Sequence, residues 1–472
     1  MRRTLLLLIL LLLILLLSSP WSPARAADLF TLVSQALQHD AGLAAARATL
    51  EAAEQAGPKA RAALLPRLDA GWGQTWNRYK TEGQPEARYR QDGWKVVLSQ
   101  PIFDWSSWIG YQQAELVHAQ AGLAYAQARQ DLVLLVAASY FQTLAAEEEL
   151  QRLQRHREML ESHAELLAHR KQAGEATLID LQDTQVDLEQ IGLQLEQARA
   201  QVRLGQLQLE QMSGMPVATL ARLDGEASLP RLQPAREDAW IEQARNQSYP
   251  VQIRRLGKEI AAADTARIRA ENYPVVSLSA SHSPAGAAEG YTRPSTTSVA
   301  MLQVSLPLFT GGGIQARSRE SQAMEWKAGE EARAAEQLLT RQAREEYLKI
   351  SSGLRQLQLL QELRQSTRTA LDSTRMGYRF GSRSSVDVLR AMEALSTNES
   401  EWIRRRHEVL TAILRLKAAA AALDLEDIQQ INRLLSATPA PGRAGEPGEL
   451  RLSWSLGGNQ DTGAAPSPRL TP

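Results

Sequence analysis

Two kinds of hydrophobic periodicity alternate along this chain. The first has a period of two. Leu68, Ala70, Trp72, Gln74 and Trp76 alternate with Asp69, Gly71, Gly73, Thr75 and Asn77, and Trp94, Val96, Leu98 and Ile102 with Lys95, Val97, Ser99 and Pro101. Farther on, Val276, Leu278 and Ala280 alternate with Ser277, Ser279 and Ser281, and Leu302, Val304, Leu306 and Leu308 with Gln303 and Ser305. Successive side chains of a strand point to opposite faces, so this pattern predicts strands with one apolar and one polar face. Polar, turn-forming segments at about 80–92 and 284–297 predict the loops between them.

The second kind has a period of seven. Leu181, Leu188, Leu195, Val202 and Leu209 recur at that spacing, with Ile191, Ala198, Gly205 and Met212 three places later. Val388, Leu395, Trp402, Val409, Leu416 and Leu423 repeat it, with Ala391, Ala412 and Ala419 alongside. A sustained heptad predicts helices packed knobs into holes, and Ala and Gly on the seam allow close approach. Prolines mark the limits of these regions. None lies between Pro101 and Pro216, or between Pro307 and Pro439, and both stretches are rich in strong helix formers. Each is interrupted near its middle, at Gly174 and at Gly377 and Gly381. Each therefore reads as two helices and a short turn, the first helix running about 105–172 or 314–376. At ~1.5 Å per residue such a helix is on the order of 100 Å long.

The two regions are copies. Pro66 matches Pro274 at an offset of 208, Pro101-Ile102-Phe103 matches Pro307-Leu308-Phe309 at 206, and Gly174, Asp180 and Leu181 match Gly381, Asp387 and Val388 at 207. The predicted fold is mainly α with a small β part, a strand–strand–helix–helix unit used twice. A shorter helix precedes each copy, at about 28–62 and 236–271. The first repeat takes 27–235 and the second 236–435. The remainder, 436–472, is rich in Pro, Gly, Ala and Ser and is expected to be mostly disordered, with an optional strand at Leu450 to Leu456.

Composition adds the compartment. Arg2 and Arg3 precede thirteen apolar residues, Leu5 to Leu17; Pro20 and Pro23 end the run, and Ala24-Arg25-Ala26 offers small residues for cleavage. This predicts a secretory signal peptide over 1–26. The alternative is an uncleaved anchor, for which the run is short of the ~20 residues a spanning helix needs. Removing Arg2, Arg3 and Arg25 leaves 50 basic against 53 acidic residues, without the basic field of a nucleic-acid binder. The absence of cysteine excludes disulfides, thiolate metal sites and thiol nucleophiles.

Little points to catalysis. His156, His163 and His169 lie on one long helix, and the first two share a face two turns apart, too far for one metal. Gly311-Gly312-Gly313 sits between a strand and a helix but lacks the Lys-Ser/Thr ending of a phosphate loop. No catalytic residue, cofactor or metal is assigned.

An exported chain with amphipathic strands raises the outer membrane. Spanning β-structure must close on itself, and barrels begin at eight strands. Four strands cannot close, so several chains would share one barrel: two give eight, three give twelve. Trp72, Trp76, Trp94, Trp105 and Trp108 lie in or beside the first hairpin, with Tyr79 and Tyr89 at its loop, as in an interfacial aromatic girdle. A soluble hairpin packed through tryptophan is the alternative, and the second hairpin is poor in aromatics.

Certain segments carry a resemblance. Ala60-Arg61-Ala62-Ala63-Leu64-Leu65-Pro66, Gln100-Pro101-Ile102-Phe103-Asp104, Leu306-Pro307-Leu308-Phe309 and Gly377-Tyr378-Arg379-Phe380-Gly381 leading to Val386-Asp387-Val388-Leu389 are each unspecific alone. In this order, duplication and spacing, over about 28–435, they resemble the TolC family of outer-membrane efflux proteins. The resemblance implies a homotrimer with a twelve-strand barrel in outer-membrane lipid and a helical tunnel across the periplasm. It implies a passive exit duct for efflux or type I secretion, served by a periplasmic adaptor (membrane fusion) protein and an inner-membrane transporter. It implies an iris-like gate at the helix turns, with Tyr378, Arg383, Asp387 and, on the first helix pair, Asp180. Three copies of Asp387 around a narrow bore would form an anionic ring that favours cations. A second acidic constriction residue of the family aligns with Arg390, which is placed to pair with Asp387 three residues back. Arg383 and Tyr378 are expected to bond across to the Asp180 helix pair. The rival readings are a periplasmic adaptor, which carries one helical hairpin among β-rich domains, and a coiled-coil scaffold, which needs no alternating strands.

Overall fold

A computed structural model describes residues 27–83, 85–223, 229–230, 232–285 and 295–436. The expected signal peptide, the tail beyond Ser436 and its optional strand lie outside the described residues.

The chain opens with three helices, α1 (Leu29–His39), α2 (Ala41–Glu54) and α3 (Ala56–Ala62), where one was expected. Asp40 makes the first break: its backbone is extended and its side chain accepts from the Leu43 N–H, which starts a new helix. The hairpin β1 (Arg67–Tyr79) and β2 (Ala87–Phe103) follows. Then come the long α4 (Trp105–Gln172) and its return, α5 (Leu178–Ser213). A short β3 (Arg222–Leu223) closes the first copy.

The second copy repeats the plan. Its leading helix is broken into α6 (Glu237–Gln247) and α7 (Tyr249–Ala270). Ser248 is extended there, and Pro250 in the first turn of α7 has no N–H to continue the preceding helix. The hairpin β4 (Val275–Ala285) and β5 (Ser295–Ser305) leads into α8 (Gly313–Arg379) and α9 (Ser385–Ala419), followed by α10 (Leu425–Asn432) and β6 (Leu435–Ser436). Gly311 and Gly312 have φ of 63° and 83° and make the bend between β5 and α8, a conformation that L side chains resist. The polar loop expected over 80–92 is shorter, because β2 begins at Ala87 and the ladder continues through Thr75↔Gln91 and Asn77↔Tyr89. Leu306 and Leu308, expected in a strand, lie past the end of β5.

The four long strands form one antiparallel sheet in the order β1-β2-β4-β5. The two hairpins therefore meet through β2 and β4, for example at Leu98↔Ala280, with a register shift near Pro101. This leaves β1 and β5 as open edges. The helices follow the same order. Helix α4 packs against α5 on one side and α9 on the other, and α9 packs against α8, so α5 and α8 are the rims.

The 68-residue α4 is about 100 Å long and starts on the Asp104 side chain, which accepts from the Ser107 N–H. The heptad seam is buried as its spacing predicts. Ile191 and Leu195 of α5 pack with Leu153, Leu160 and Leu167 of α4, themselves seven apart. The expected small residues set the approach: a Cβ at Gly205 would strike the Thr143 hydroxyl and lie 3.0 Å from its Cβ. Leu423, the last expected heptad position, falls outside α9, because the helix stops at Ala420 and Ala421 turns to φ 51°. The largest core lies halfway along the long helices. There Tyr140, Phe141 and Leu144 pack against Leu29, Leu32 and Val33 of α1 and Ile428 and Ile431 of α10. Tyr140 also donates to the Ala221 carbonyl at 2.7 Å, next to the β3–β6 pair that ties the ends of the two copies. These elements form a belt on one side of the helical layer.

Candidate gate at the helix turns

Both helix turns are built from one motif, Gly-x-x-Ser/Thr-x-x-Asp. In the first, Gly174 takes a left-handed φ of 78°, and the Glu175 N–H returns to the Arg170 carbonyl at 2.8 Å. In the second, Gly381 has φ 76°, and the Ser382 N–H returns to the Gly377 carbonyl at 2.9 Å. Glycine is favoured at this position because its lack of a Cβ removes the penalty for a left-handed helix stop. Three residues on, Thr177 and Ser384 start the next helices. The Asp180 N–H donates to the Thr177 Oγ1 at 3.1 Å, and the Asp180 carboxylate accepts from the Thr177 N–H at 3.1 Å. Ser384 and Asp387 repeat the exchange at 3.2 and 3.0 Å.

The expected gate residues thus divide. Asp180 and Asp387 each hold a capping box that sharpens a turn, worth about 1 kcal/mol for such caps. The Ser384 backbone and side-chain hydrogen bonds hold the Asp387 carboxyl below the usual carboxylate value, and the charges of Arg383 and Arg390 act in the same direction. Arg390 is exposed and makes no contact ion pair with Asp387, so the expected pairing is corrected to action through space. Arg383 is exposed too, with its stem against Gly377, where a Cβ would lie 2.7 Å from the Arg383 Cγ.

Tyr378 is buried, and it does join the two helix pairs, but through residues that sequence reasoning missed. Of the bonds expected from Tyr378 and Arg383 across to the Asp180 helix pair, Tyr378 makes one, to α4 rather than to Asp180. The Arg170 guanidinium, at the end of α4, donates to the Tyr378 and Arg379 carbonyls at 3.3 Å each. It also lies 4.6 Å above the Tyr378 ring, a cation–π distance. His163 meets the same ring edge-on at 5.7 Å, and its Nε2 lies 3.0 Å from the Ser385 Oγ. Burial, with the Arg375 charge helping, pushes the His163 imidazole below its usual pKa, so it is neutral at neutral pH.

Polar contacts continue up the α4–α9 seam. Arg152 pairs with Glu149 and reaches the Ser396 hydroxyl. His156 is buried next to it, and burial and the Arg152 charge lower its pKa to about 4. Glu148 accepts from the Arg406 Nη2 at 2.7 Å and lies 3.1 Å from the His407 Nε2. Arg406 in turn stacks 4.4 Å from the Trp402 ring, and Arg364 stacks on the same ring at 4.6 Å. Burial pushes the Glu148 carboxyl up, but the His407 and Arg406 contacts outweigh it and hold it below the usual value. The sequence did carry one signal for this seam: His156 and His163 recur seven apart in step with Leu153, Leu160 and Leu167. Among the described residues, no three His, Asp or Glu side chains are grouped to hold a metal.

No described helix is long and apolar enough to cross a membrane. The surface is greasy instead on the sheet, where Trp72 and Trp76 are 69% and 75% exposed. A duplicated set of long helical hairpins carrying such a sheet is the architecture of outer-membrane channels. The chain superposes on the outer membrane protein VceC from Vibrio cholerae with a TM-score of 0.74 at 18% identity, covering 83% of this chain and 95% of that one. It belongs to the outer membrane efflux protein family, whose model matches residues 32–215 and 240–422, one block in each copy of the repeat. Among its relatives are the outer membrane protein TolC of Vibrio cholerae and the alkaline protease secretion protein AprF of Pseudomonas aeruginosa. The first is 23% identical over 412 residues, 86% of this chain and 93% of the relative. The second is 26% identical over 421 residues, 86% and 88%. Neither the adaptor nor the scaffold reading is favoured by this membership.

Proposed function

We propose that three copies of this chain close into a passive outer-membrane exit duct, loaded from the periplasmic end. The observation that carries this reading is the pair of unsatisfied rims. Edge strands β1 and β5, of 13 and 11 residues, leave ladder groups unpaired at opposite sides of the sheet. Below them, rim helix α5 exposes Ile179, Val186, Leu193 and Leu207 at heptad positions, and rim helix α8 exposes Leu348, Leu359 and Met376. Unlike edges that match each other make a head-to-tail contact, which gives a ring where the rotation between copies closes. Three four-stranded sheets give a closed barrel of twelve strands, which satisfies every edge in lipid. The exposed tryptophans then sit at the membrane interface.

In this reading the sheet spans the outer membrane and the long helices enclose a bore across the periplasm. The helix turns form the periplasmic tip, where Asp180, Tyr378, Arg383, Asp387 and Arg390 line or brace the gate. A periplasmic adaptor and an inner-membrane transporter deliver the cargo, for efflux or, as the name of AprF suggests by analogy, for protein secretion. Cell fractionation tests the reading: a heat-resistant trimer in the outer membrane supports it, and a soluble periplasmic monomer removes it.

The ring of Asp387 and Arg390 sets the selectivity of the tip. Arg390→Asp is expected to raise cation selectivity, read as a shift of the reversal potential under a salt gradient. A potential that stays put would remove Arg390 from the constriction.

A further inference from the structure

The register of the first hairpin sorts its charges by face. Paired residues of an antiparallel ladder point to the same side, so Leu68↔Leu98, Trp72↔Trp94, Trp76↔Arg90 and Arg78↔Arg88 share one face. The other face carries Asp69, Gly71, Gly73 and Thr75, with Lys95 across from Gly71 and Gln91 across from Thr75. On the duct reading, on which this inference rests, the apolar face meets lipid and the polar one the bore.

Along the lipid face the apolar run ends in arginine. Arg78 stands ten residues beyond Leu68, ~33 Å along the strand. A strand tilt of ~40° reduces that to about 25 Å, the height of the apolar band of a membrane barrel. The long helices leave the sheet at its other end, after Phe103. The arginines therefore stand at the outer surface, at the depth of the headgroups.

Glu86 holds two of them side by side. Arg78 donates to it through Nε at 2.7 Å and Nη2 at 3.0 Å, and Arg88 through Nε at 2.6 Å. That leaves the terminal nitrogens of Arg88 without a partner among the described residues. Arg90, ~7 Å away along the same face, is exposed and has no ion partner among the described residues. Asp92 lies one rung nearer the band, opposite Gln74, and Lys80 and Glu82 in the turn cancel. The three arginines against Glu86 and Asp92 keep one positive charge in excess, centred on Arg90. Across the sheet, the same face of the second hairpin shows Pro284↔Thr296 and His282↔Ser298, with no carboxylate to neutralise it.

A guanidinium fork matches two phosphate oxygens, and basic side chains at this depth attract anionic headgroups. Trp76, directly opposite Arg90, rests its ring at the same interface. We propose that Arg88 and Arg90, with Trp76 beside them, bind a phosphate of an outer-leaflet glycolipid, one lipid per chain. The phosphate takes the open forks of the two arginines, and the acyl chains lie along Trp72, Trp94 and Leu98. Free phosphate would meet the arginines but not this apolar face, so the occupant is a lipid.

Lipid A carrying both phosphates, and the same lipid with both removed, are the probes. Each is titrated into the purified detergent-solubilised protein and counted by native mass spectrometry. Phosphorylated lipid A is expected to saturate at one copy per chain. It should bind about tenfold or more tighter than the stripped lipid, the scale of a hydrogen bond to a charged group. Arg88→Gln and Arg90→Gln together should abolish that preference, and Lys95→Gln, on the opposite face, should keep it. Equal binding of the two lipids, or an undiminished preference in the double variant, overturns the site. Displacement of the lipid by inorganic phosphate at equal concentration also overturns it, as a site for the free anion. Because the two lipids are compared on the unaltered chain, this holds even if a variant fails to fold. Conductance of the same sample in lipid bilayers separates the two claims. A conducting trimer indifferent to the phosphates overturns only the lipid site. Phosphate-dependent lipid binding by a chain that does not conduct keeps the site and overturns the duct.

Discussion

Replacing Glu148 with alanine is expected to destabilise the joint between the two helix pairs by about 3–5 kcal/mol, the range for removing one partner from a buried charge pair. Glu148 sits on α4, and both of its partners, Arg406 and His407, sit on α9. All three are largely buried, so the guanidinium left behind would lose the Glu148 charge in a poorly solvated place. Guanidinium unfolding of the solubilised protein, followed by helical circular dichroism, reads the loss. An unchanged midpoint would show that the cluster does not hold the seam. Replacing the three together by Leu, Met and Phe should recover much of the loss, since a packed apolar trio has no desolvation penalty. The pH dependence has a definite sign. The folded-state pKa of Glu148 lies below its ordinary value, so its contribution is present above that value and fades as pH falls through the folded one. His156 adds to the same acid limb. Its folded-state pKa of about 4 lies below the ordinary 6.5, so stability declines as pH drops from about 6.5 towards 4.

The second large effect concerns assembly. If the proposed trimer forms through the rims, a Val186→Glu, Leu193→Glu variant is expected to remain a single chain. Both side chains are more than half exposed in the single chain, at 62% and 70%, and both lie on the exposed heptad row of the α5 rim that includes Ile179 and Leu207. Burying a Val or Leu contributes roughly 1.5–3 kcal/mol, and a ring of three repeats that contribution at every interface. An unpaired carboxylate in the same place reverses its sign. Light scattering of the solubilised variant should give one chain, with the α-helical spectrum retained, because neither residue belongs to the chain's own core. A stable trimer would place the interface elsewhere.

The sequence showed most of the fold because each element obeys one simple period. The helical seams follow from Leu181 and Val388 and their sevenfold echoes, and the missing prolines set the helix lengths. What escaped has physical causes. The outer part of β2, from Ala87 to Gly93, is polar on both faces, so only backbone pairing reveals it. The breaks at Asp40 and Ser248 depend on local caps rather than on hydrophobic pattern. At the turns, the resemblance singled out Asp180 and Asp387, whereas the local Ser/Thr-x-x-Asp spacing already stated their capping role. Arg170 was illegible because its hydrogen bonds go to main-chain carbonyls of Tyr378 and Arg379, which leave no trace in residue identity. Glu148, Arg406 and His407 meet across more than 250 positions of sequence, with no shared period to announce them.

The most direct test of the account is single-channel conductance in planar lipid bilayers, with the wild-type chain compared to Arg170→Ala. Arg170 links the first helix pair to the second at the tip, beside the His163 contacts, and its removal leaves the four-stranded sheet and the rims untouched. Discrete channels of low conductance are expected from the wild type and channels of markedly higher conductance from Arg170→Ala, the tip being released. A protein that forms no channels in either form would contradict the duct, and equal conductance would place the constriction away from the helix turns.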